Sequence, residues 1–163
     1  MTLSPDIIEL ASEVVDLLRE YGETLSTAES LTAGSLSSAI VTIAGASDVF
    51  VGGITAYRDE IKISHLGVDP ELINKYTSIS EEVAIEMARG AMKSFGTTWA
   101  IATTGVAGPN PADGHPVGAV WVAIQGPNCH SIELSLSGER ESVRNAATAS
   151  AIATFARILR HRN

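Results

Sequence analysis

The sequence has few cysteines and few aromatic residues. Its one cysteine, Cys129, has no partner for a disulfide within the chain, and no Cys/His cluster has the spacing of a metal site. We therefore expect a cytoplasmic protein with no metal and no other cofactor. Aromatic residues make up 5% of the chain against 45% for all hydrophobic residues, which favours close packing of small-residue helices on a sheet.

Long apolar runs and an excess of basic residues are also missing. No stretch of about 18 apolar residues occurs, and the opening segment MTLSPDIIEL lacks the basic and apolar regions of a signal peptide. The formal net charge is −8, so the field of the protein repels nucleic acids and anionic membranes. Neither is expected as a partner.

Segments typical of strands and helices alternate along the chain. The expected helices are 5–21, 32–43, a short one opened by Arg58-Asp59-Glu60, 81–96 and 139–160, and the expected strands are 24–28, 49–57, 98–103, 117–125 and 130–137. The length suits one hydrophobic core. The sequence therefore predicts a single α/β domain over residues 1–163, in which helices pack on the faces of a central mixed β-sheet.

The strongest local feature is a strand that runs through Glu29-Ser30-Leu31-Thr32-Ala33-Gly34 into a helix. Such a turn brings a side chain and several unpaired backbone N–H groups to one point. Ser30 would attack a carbonyl there, while the N–H groups of Thr32, Ala33 and Gly34 would stabilise the resulting oxyanion. The alternative is that Ser30 only caps the helix.

A serine nucleophile needs a base, and none of the four histidines lies in a recognisable relation to Ser30 and an acidic partner. Lys62 is the other candidate. It follows Tyr57 at the end of a buried strand, where loss of hydration would let the amine lose its proton near neutral pH. The alternative is a solvated surface charge.

Two further features have both a binding and a structural interpretation. Arg140 and Arg144 lie one turn apart at the start of the last helix, where they would bind a phosphate or carboxylate together, or pair with Glu139 and Glu141 in solvent. The Gly- and Pro-rich loop that begins at Thr104-Gly105 lacks the lysine of a P-loop, so nucleotide phosphates are not expected to bind in that manner.

Five motifs, in this order, resemble the C-terminal domain of the competence/damage-inducible protein CinA, the nicotinamide-nucleotide amidase (PncC) family. The resemblance spans about residues 8–159. The motifs are Thr27-Ala28-Glu29-Ser30-Leu31-Thr32-Ala33-Gly34, Gly52-Gly53 with Tyr57 and Lys62, Thr103-Thr104-Gly105-Val106-Ala107-Gly108-Pro109, Pro116-Val117-Gly118, and Ser137-Gly138-Glu139-Arg140 with Arg144.

This resemblance implies hydrolysis of nicotinamide mononucleotide to nicotinic acid mononucleotide and ammonia by a serine/lysine mechanism without metal. The family's serine falls on Ser30, its lysine on Lys62 and its tyrosine on Tyr57, and Thr104-Gly105 matches a segment that lines the pocket. Arg140 or Arg144 is then expected to contact the substrate phosphate. The family also implies a homodimer, here in a stand-alone form without a larger N-terminal domain.

The chain departs from the family pattern at three positions. Leu31 and Ala33 stand where the family commonly has cysteine and glycine, and His115 stands where a lysine commonly precedes Pro-Val-Gly. The resemblance therefore implies the fold more strongly than it implies the substrate or the activity. The departures leave two alternatives open: a nucleotide-binding module with weak or no turnover, and a competence or DNA-damage partner protein.

Overall fold

The computed structural model describes residues 4–162. Its sheet has five strands in the order β2-β1-β3-β4-β5. The strands are β1 (Leu25–Glu29), β2 (Phe50–Thr55), β3 (Trp99–Gly105), β4 (Ala119–Gln125) and β5 (His130–Ser135). The helices are α1 (Pro5–Tyr21), α2 (Ser35–Val41), α3 (Asp59–Leu66), α4 (Pro70–Tyr76), α5 (Glu81–Phe95) and α6 (Arg140–Arg160), with a short 3-10 turn at Ala46–Asp48.

The sheet is mixed, as the sequence predicts. Strand β1 pairs in parallel with β2 and with β3, whereas β4 runs antiparallel to β3 and β5 runs antiparallel to β4. Parallel strands point their carboxyl ends to the same edge of a sheet, so the segments that follow β1, β2 and β3 emerge side by side. The predicted α/β architecture is confirmed.

Both faces of the sheet are covered, which explains why its central strands read as nearly continuous apolar runs. Helices α1, α2 and α6 pack on one face, where β3 contributes Trp99 and Ile101. Helix α5 packs on the other face, where β3 contributes Ala100 and Ala102. The alternation of large and small side chains along β3 therefore gives one thick and one thin core layer, and α5 lies close to the sheet.

Local sequence signals account for the ends of most helices. Helix α1 ends at Gly22, whose left-handed backbone lets its N–H donate to the carbonyls of Leu18 and Arg19. Helix α5 begins after Ser80, whose hydroxyl accepts a hydrogen bond from the Val83 N–H at 3.3 Å. The bounds expected for these two helices agree with the structure to within one residue.

Three elements differ from the expectation. Strand β2 ends at Thr55 rather than at residue 57, and its residues alternate between half-buried and exposed, so it is not the buried strand expected before Lys62. Helix α2 begins at Ser35, not at residue 32, because Ala33 and Gly34 have positive φ values of 48° and 93° that a right-handed helix excludes. Helix α4 was not predicted, although Asp69 caps it and Pro70 opens it. It has seven residues and no buried side chain, so it has no apolar periodicity to detect.

None of the helices in residues 4–162 is long and apolar enough to cross a membrane.

A close approach between α3 and α5 gives a test of this packing. A Cβ added to Gly90 would lie 1.9 Å from the carbonyl oxygen of Leu66. Although alanine is about 1 kcal/mol better than glycine inside a helix, we predict that Gly90→Ala lowers the free energy of unfolding by about 1–3 kcal/mol because the clash must be relieved. Denaturant unfolding measures the change.

Lys93→Ala, at an exposed position of the same helix, is the matched control and should change the free energy of unfolding by less than about 0.5 kcal/mol. A Gly90→Ala protein as stable as its parent would show that α3 and α5 do not meet at this point.

Candidate active site

A cavity of about 210 Å³ opens at the sheet edge where β1, β2 and β3 end. Ligands of open α/β sheets commonly bind at this edge, because the loops after the parallel strands converge there. Six predicted site residues line the cavity together: Ser30, Tyr57, Lys62, Thr104, Gly105 and Arg140. The four other predicted residues, Thr32, Ala33, Gly34 and Arg144, are not among those that line it.

The turn that carries Ser30 is held by the buried carboxylate of Glu29, which is 1% exposed. One carboxylate oxygen accepts hydrogen bonds from the N–H groups of Gly34 and Leu36, both at 3.0 Å. The other accepts from the N–H and the hydroxyl of Ser37 at 2.8 and 2.6 Å. Glu29 therefore occupies the positive N-terminal end of α2, and sequence analysis did not identify it.

Ser30 does not cap α2. The N-cap position is Gly34, and the first N–H groups at this end of the helix donate to the Glu29 carboxylate, not to Ser30. Ser30 instead lines the cavity and is 8% exposed, while its backbone N–H donates to Thr103 O at 2.9 Å. The strand-to-turn placement of Ser30 leaves its hydroxyl available for chemistry.

Two of the three backbone N–H groups expected to bind an oxyanion have partners inside the protein. The Ala33 N–H donates to Ser30 O at 3.1 Å, and the Gly34 N–H donates to Glu29. Thr32 is fully buried, with its hydroxyl 2.7 Å from that of Thr103. The Ala33 and Gly34 N–H groups therefore already have partners inside the protein, which they would have to give up to bind an oxyanion.

Lys62 is a buried side chain, 2% exposed, and not a solvated surface charge. Its Nζ donates to Tyr57 O at 3.2 Å and to Asp59 Oδ1 at 3.3 Å. Burial lowers the pKa of Lys62 below its ordinary value, against the opposing effects of the Asp59 carboxylate, Asp113 and Tyr57. Ser30 lines the same cavity without a direct hydrogen bond to this amine.

Tyr57 connects Lys62 with Arg140. Its backbone carbonyl accepts from Lys62, and its hydroxyl accepts from Arg140 Nη2 at 2.8 Å. Arg140 Nη1 also donates to Gly108 O at 2.5 Å, which ties the loop after β3 to the start of α6. The side-chain hydroxyl of Tyr57 thus contacts the guanidinium of Arg140, whereas its backbone carbonyl contacts the lysine.

Arg144 holds the serine turn from outside the cavity. Its guanidinium donates to Leu31 O at 2.9 Å, to Thr32 O at 3.1 Å and to Ser35 Oγ at 3.4 Å. The donors of Arg144 are directed at backbone and side-chain oxygens of the turn, and the expectation that Arg140 or Arg144 contacts a phosphate stays a prediction. Of the two arginines, only Arg140 faces the cavity.

Three polar residues of the cavity were missed by sequence analysis: Asp59, Ser78 and Asp113. Asp59 lies three residues before Lys62 on α3, a spacing that places two side chains on one helix face and would have revealed it. Ser78 and Asp113 come from loops that only folding brings to this edge. Ser78 also accepts a hydrogen bond from Thr104 Oγ1 at 2.6 Å through its carbonyl oxygen.

The three departures from the family pattern have different positions. Leu31 lines the cavity and is 3% exposed, so it adds an apolar wall. Ala33 is exposed on the turn, and His115 lies with Nε2 3.0 Å from Thr77 Oγ1. Within residues 4–162 no group of three or more His, Cys, Asp or Glu side chains is placed to hold a metal ion.

Solved structures with the same fold carry related names. The competence damage-inducible protein A of Klebsiella pneumoniae superposes with a TM-score of 0.93 at 31% identity, over 96% of this chain and 99% of that chain. The competence/damage inducible protein CihA of Agrobacterium tumefaciens gives a TM-score of 0.93 at 31% identity, over 99% of both chains.

Sequence comparisons agree with the structural ones. A CinA-like protein of Kosmotoga olearia is 46% identical over 136 residues, which cover 82% of this chain and 33% of that protein. A CinA-like protein of Fervidobacterium nodosum is 42% identical over 142 residues, which cover 86% of this chain and 35% of that protein. The chain thus spans about a third of the length of these relatives. The family model of the CinA C-terminal domain matches residues 7–159, and the chain belongs to that family.

Proposed function

We propose that this protein is an amidase that hydrolyses the carboxamide of nicotinamide mononucleotide to nicotinic acid mononucleotide and ammonia. The observation that supports it is that a buried lysine and a serine that does not cap a helix line one cavity. This cavity lies at the edge of the sheet where the parallel strands end. A lysine without hydration loses its proton more readily, and a serine needs such a base to become a nucleophile. The motif resemblance supplies the identity of the substrate.

The reaction proceeds through an ester of Ser30. The neutral amine of Lys62 takes the hydroxyl proton as Ser30 Oγ attacks the carboxamide carbon. When the tetrahedral intermediate collapses, the C–N bond breaks and the Lys62 ammonium gives its proton to the leaving amine, which departs as ammonia. Water then attacks the ester, Lys62 takes one of its protons, and the Ser30 hydroxyl is restored as the carboxylic acid leaves.

The resting geometry requires one adjustment before proton transfer. Lys62 donates to Tyr57 O and Asp59, and not to Ser30. The proposed reaction requires Ser30 Oγ and Lys62 Nζ to come into contact, directly or through one water, when substrate is bound. Catalytic hydrogen bonds are often long or misaligned in a site without substrate and tighten in the complex.

The volume of the cavity and the charge of Arg140 indicate where the nicotinamide ring and the phosphate of the substrate bind. A cavity of about 210 Å³ lies below the range of about 300–1,000 Å³ that is usual for sites enclosing a drug-sized ligand, so it holds the nicotinamide ring and leaves the ribose phosphate outside. A guanidinium has five N–H donors. Arg140 uses two of its nitrogens on Gly108 and Tyr57, and its remaining donors are available to the phosphate.

The alternative is a nucleotide-binding module without turnover. It is favoured by the contact of Lys62 with Asp59, because a carboxylate at 3.3 Å opposes loss of the ammonium proton. Both functions require the same cavity. They differ in whether ammonia is released.

The first prediction concerns the two reacting side chains. We expect Ser30→Ala and Lys62→Arg each to lower turnover of nicotinamide mononucleotide by at least about 10²-fold, the usual minimum for loss of general-base catalysis. Arginine keeps the positive charge but cannot act as a base. Mass spectrometry of nicotinic acid mononucleotide measures the product, with Lys93→Ala as control. Near-normal turnover by Lys62→Arg would exclude the serine/lysine mechanism.

The pH dependence gives an independent prediction. Since the base is the neutral amine, kcat/KM should rise with pH through the ionisation of Lys62. Burial lowers the pKa of this amine, so the midpoint of the rise should lie below the ordinary lysine value of about 10.4. Initial rates across the alkaline range measure it. A rate that falls as pH rises would show that the protonated form is the active one.

Arg140 can be tested with a substrate that lacks the phosphate. We expect Arg140→Ala to raise the KM for nicotinamide mononucleotide by about 10–100-fold, as for loss of a hydrogen bond to a charged group. The KM for nicotinamide riboside should not change, because the riboside has no phosphate to lose. An equal rise for both substrates would mean that Arg140 acts on the cavity itself. Arg144→Ala should instead lower the free energy of unfolding.

A further inference from the structure

One carboxylate oxygen beside the cavity is shared by two donors. Asp59 Oδ1 accepts from Lys62 Nζ at 3.3 Å and from Ser78 Oγ at 2.5 Å. Asp59 and Lys62 belong to the same helix, α3, whereas Ser78 lies in the segment between α4 and α5. The Asp59–Ser78 contact therefore joins two segments that meet only in the folded protein.

Ser78 is fixed from its other side by the sheet. Its carbonyl oxygen accepts from Thr104 Oγ1 at 2.6 Å, and Ser78 and Thr104 are 7% and 1% exposed. A chain of hydrogen bonds thus runs from the end of β3 through Ser78 and Asp59 to the Lys62 amine. Each link fixes the position of the next, so the amine has a defined place relative to β3.

Asp59 does not act as a cap of α3. Arg58 occupies the N-cap position, and no side chain forms a cap hydrogen bond there. An acidic residue in a first turn is favoured by the helix dipole alone, but the hydrogen bonds of this carboxylate go to a buried ammonium and a buried hydroxyl. The dipole does not explain those two contacts.

We propose that Asp59 and Ser78 form a positioning pair that holds the Lys62 amine in the cavity and sets how readily it gives up its proton. The proposal rests on the function proposed above insofar as that proton matters for turnover. Asp59 stabilises the ammonium. Ser78 donates to the same oxygen and so weakens Asp59 as an acceptor for Lys62. Asp59 therefore stabilises the Lys62 ammonium, and Ser78 reduces that stabilisation.

The other charged and titratable groups around Lys62 do not produce this pattern. Asp113, from the loop between β3 and β4, and Tyr57, just before α3, also favour the ammonium. Neither accepts a hydrogen bond from Ser78 among the contacts of residues 4–162. Only the Asp59–Ser78 pair is therefore expected to shift the Lys62 titration midpoint in opposite directions when one or the other residue is replaced.

The amine can be titrated directly, because the sequence has three lysines, Lys62, Lys75 and Lys93. NMR of protein labelled with ¹³C at lysine Cε follows each ionisation, and the Lys62→Arg spectrum assigns the signal. We expect Asp59→Asn to move the Lys62 midpoint to lower pH by about one unit or more, the usual effect of an adjacent opposite charge. Ser78→Ala should move it to higher pH.

Glu60→Gln is the matched control. It removes one negative charge from the same helix, but Glu60 is exposed and pairs with Arg58, so the Lys62 midpoint should stay in place. Unfolding curves confirm that each variant is folded. If Asp59→Asn does not fold, Ser78→Ala still tests the pair by the sign of its shift.

Turnover is read separately from titration. If the Lys62 midpoint shifts in opposite directions but no variant or parent protein hydrolyses nicotinamide mononucleotide, the pair stands and the proposed function fails. If the rise of kcat/KM with pH shifts in each variant as its Lys62 midpoint shifts, both the positioning pair and the proposed function stand. Unmoved midpoints in folded Asp59→Asn and Ser78→Ala would overturn the pair, and shifts of the same sign would remove Ser78 from it.

Discussion

The site depends on one buried carboxylate. Glu29 ends β1, and its two oxygens accept four hydrogen bonds from Gly34, just before α2, and from Leu36 and Ser37 of α2. Hydrogen bonds to a charged group are worth about 1.5–3 kcal/mol each, so the turn between strand and helix is strongly held. Ser30 is the first residue of that turn. The same contacts occupy the N-terminal end of α2, so the positive charge offered to a ligand at the cavity is that of Arg140.

Much of the fold was predictable, because it follows from patterns local to each segment. Alternating large and small apolar residues in β3 predict a strand covered on both faces, and the residues after parallel strands must meet at one edge. That reasoning brings Ser30, Tyr57 and Thr104 together. The start of α2 was not predictable in this way, because the left-handed backbone of Ala33 depends on the contacts that hold the turn.

The roles of the two arginines show what local spacing does not determine. Arg140 and Arg144 have the same side chain and lie one helical turn apart, so their spacing in the sequence does not distinguish which of them binds a ligand. Their hydrogen-bond partners distinguish them, and these lie far away in the chain. Tyr57 is 83 residues from Arg140, and Leu31 is 113 residues from Arg144. Ser78 was missed for the same reason, since its partners Asp59 and Thr104 lie 19 and 26 residues away.

Tyr57 contacts two basic side chains of the cavity, Lys62 and Arg140. Its backbone carbonyl accepts from the Lys62 amine at 3.2 Å, and its hydroxyl accepts from Arg140 at 2.8 Å. One residue therefore contacts both the proposed base and the guanidinium. Tyr57 is 53% exposed and lies beyond the end of β2, so the Arg140 contact, more than burial, holds its side chain in place. In the proposed reaction, Tyr57 thereby joins the group that takes the serine proton to the group that binds the substrate phosphate.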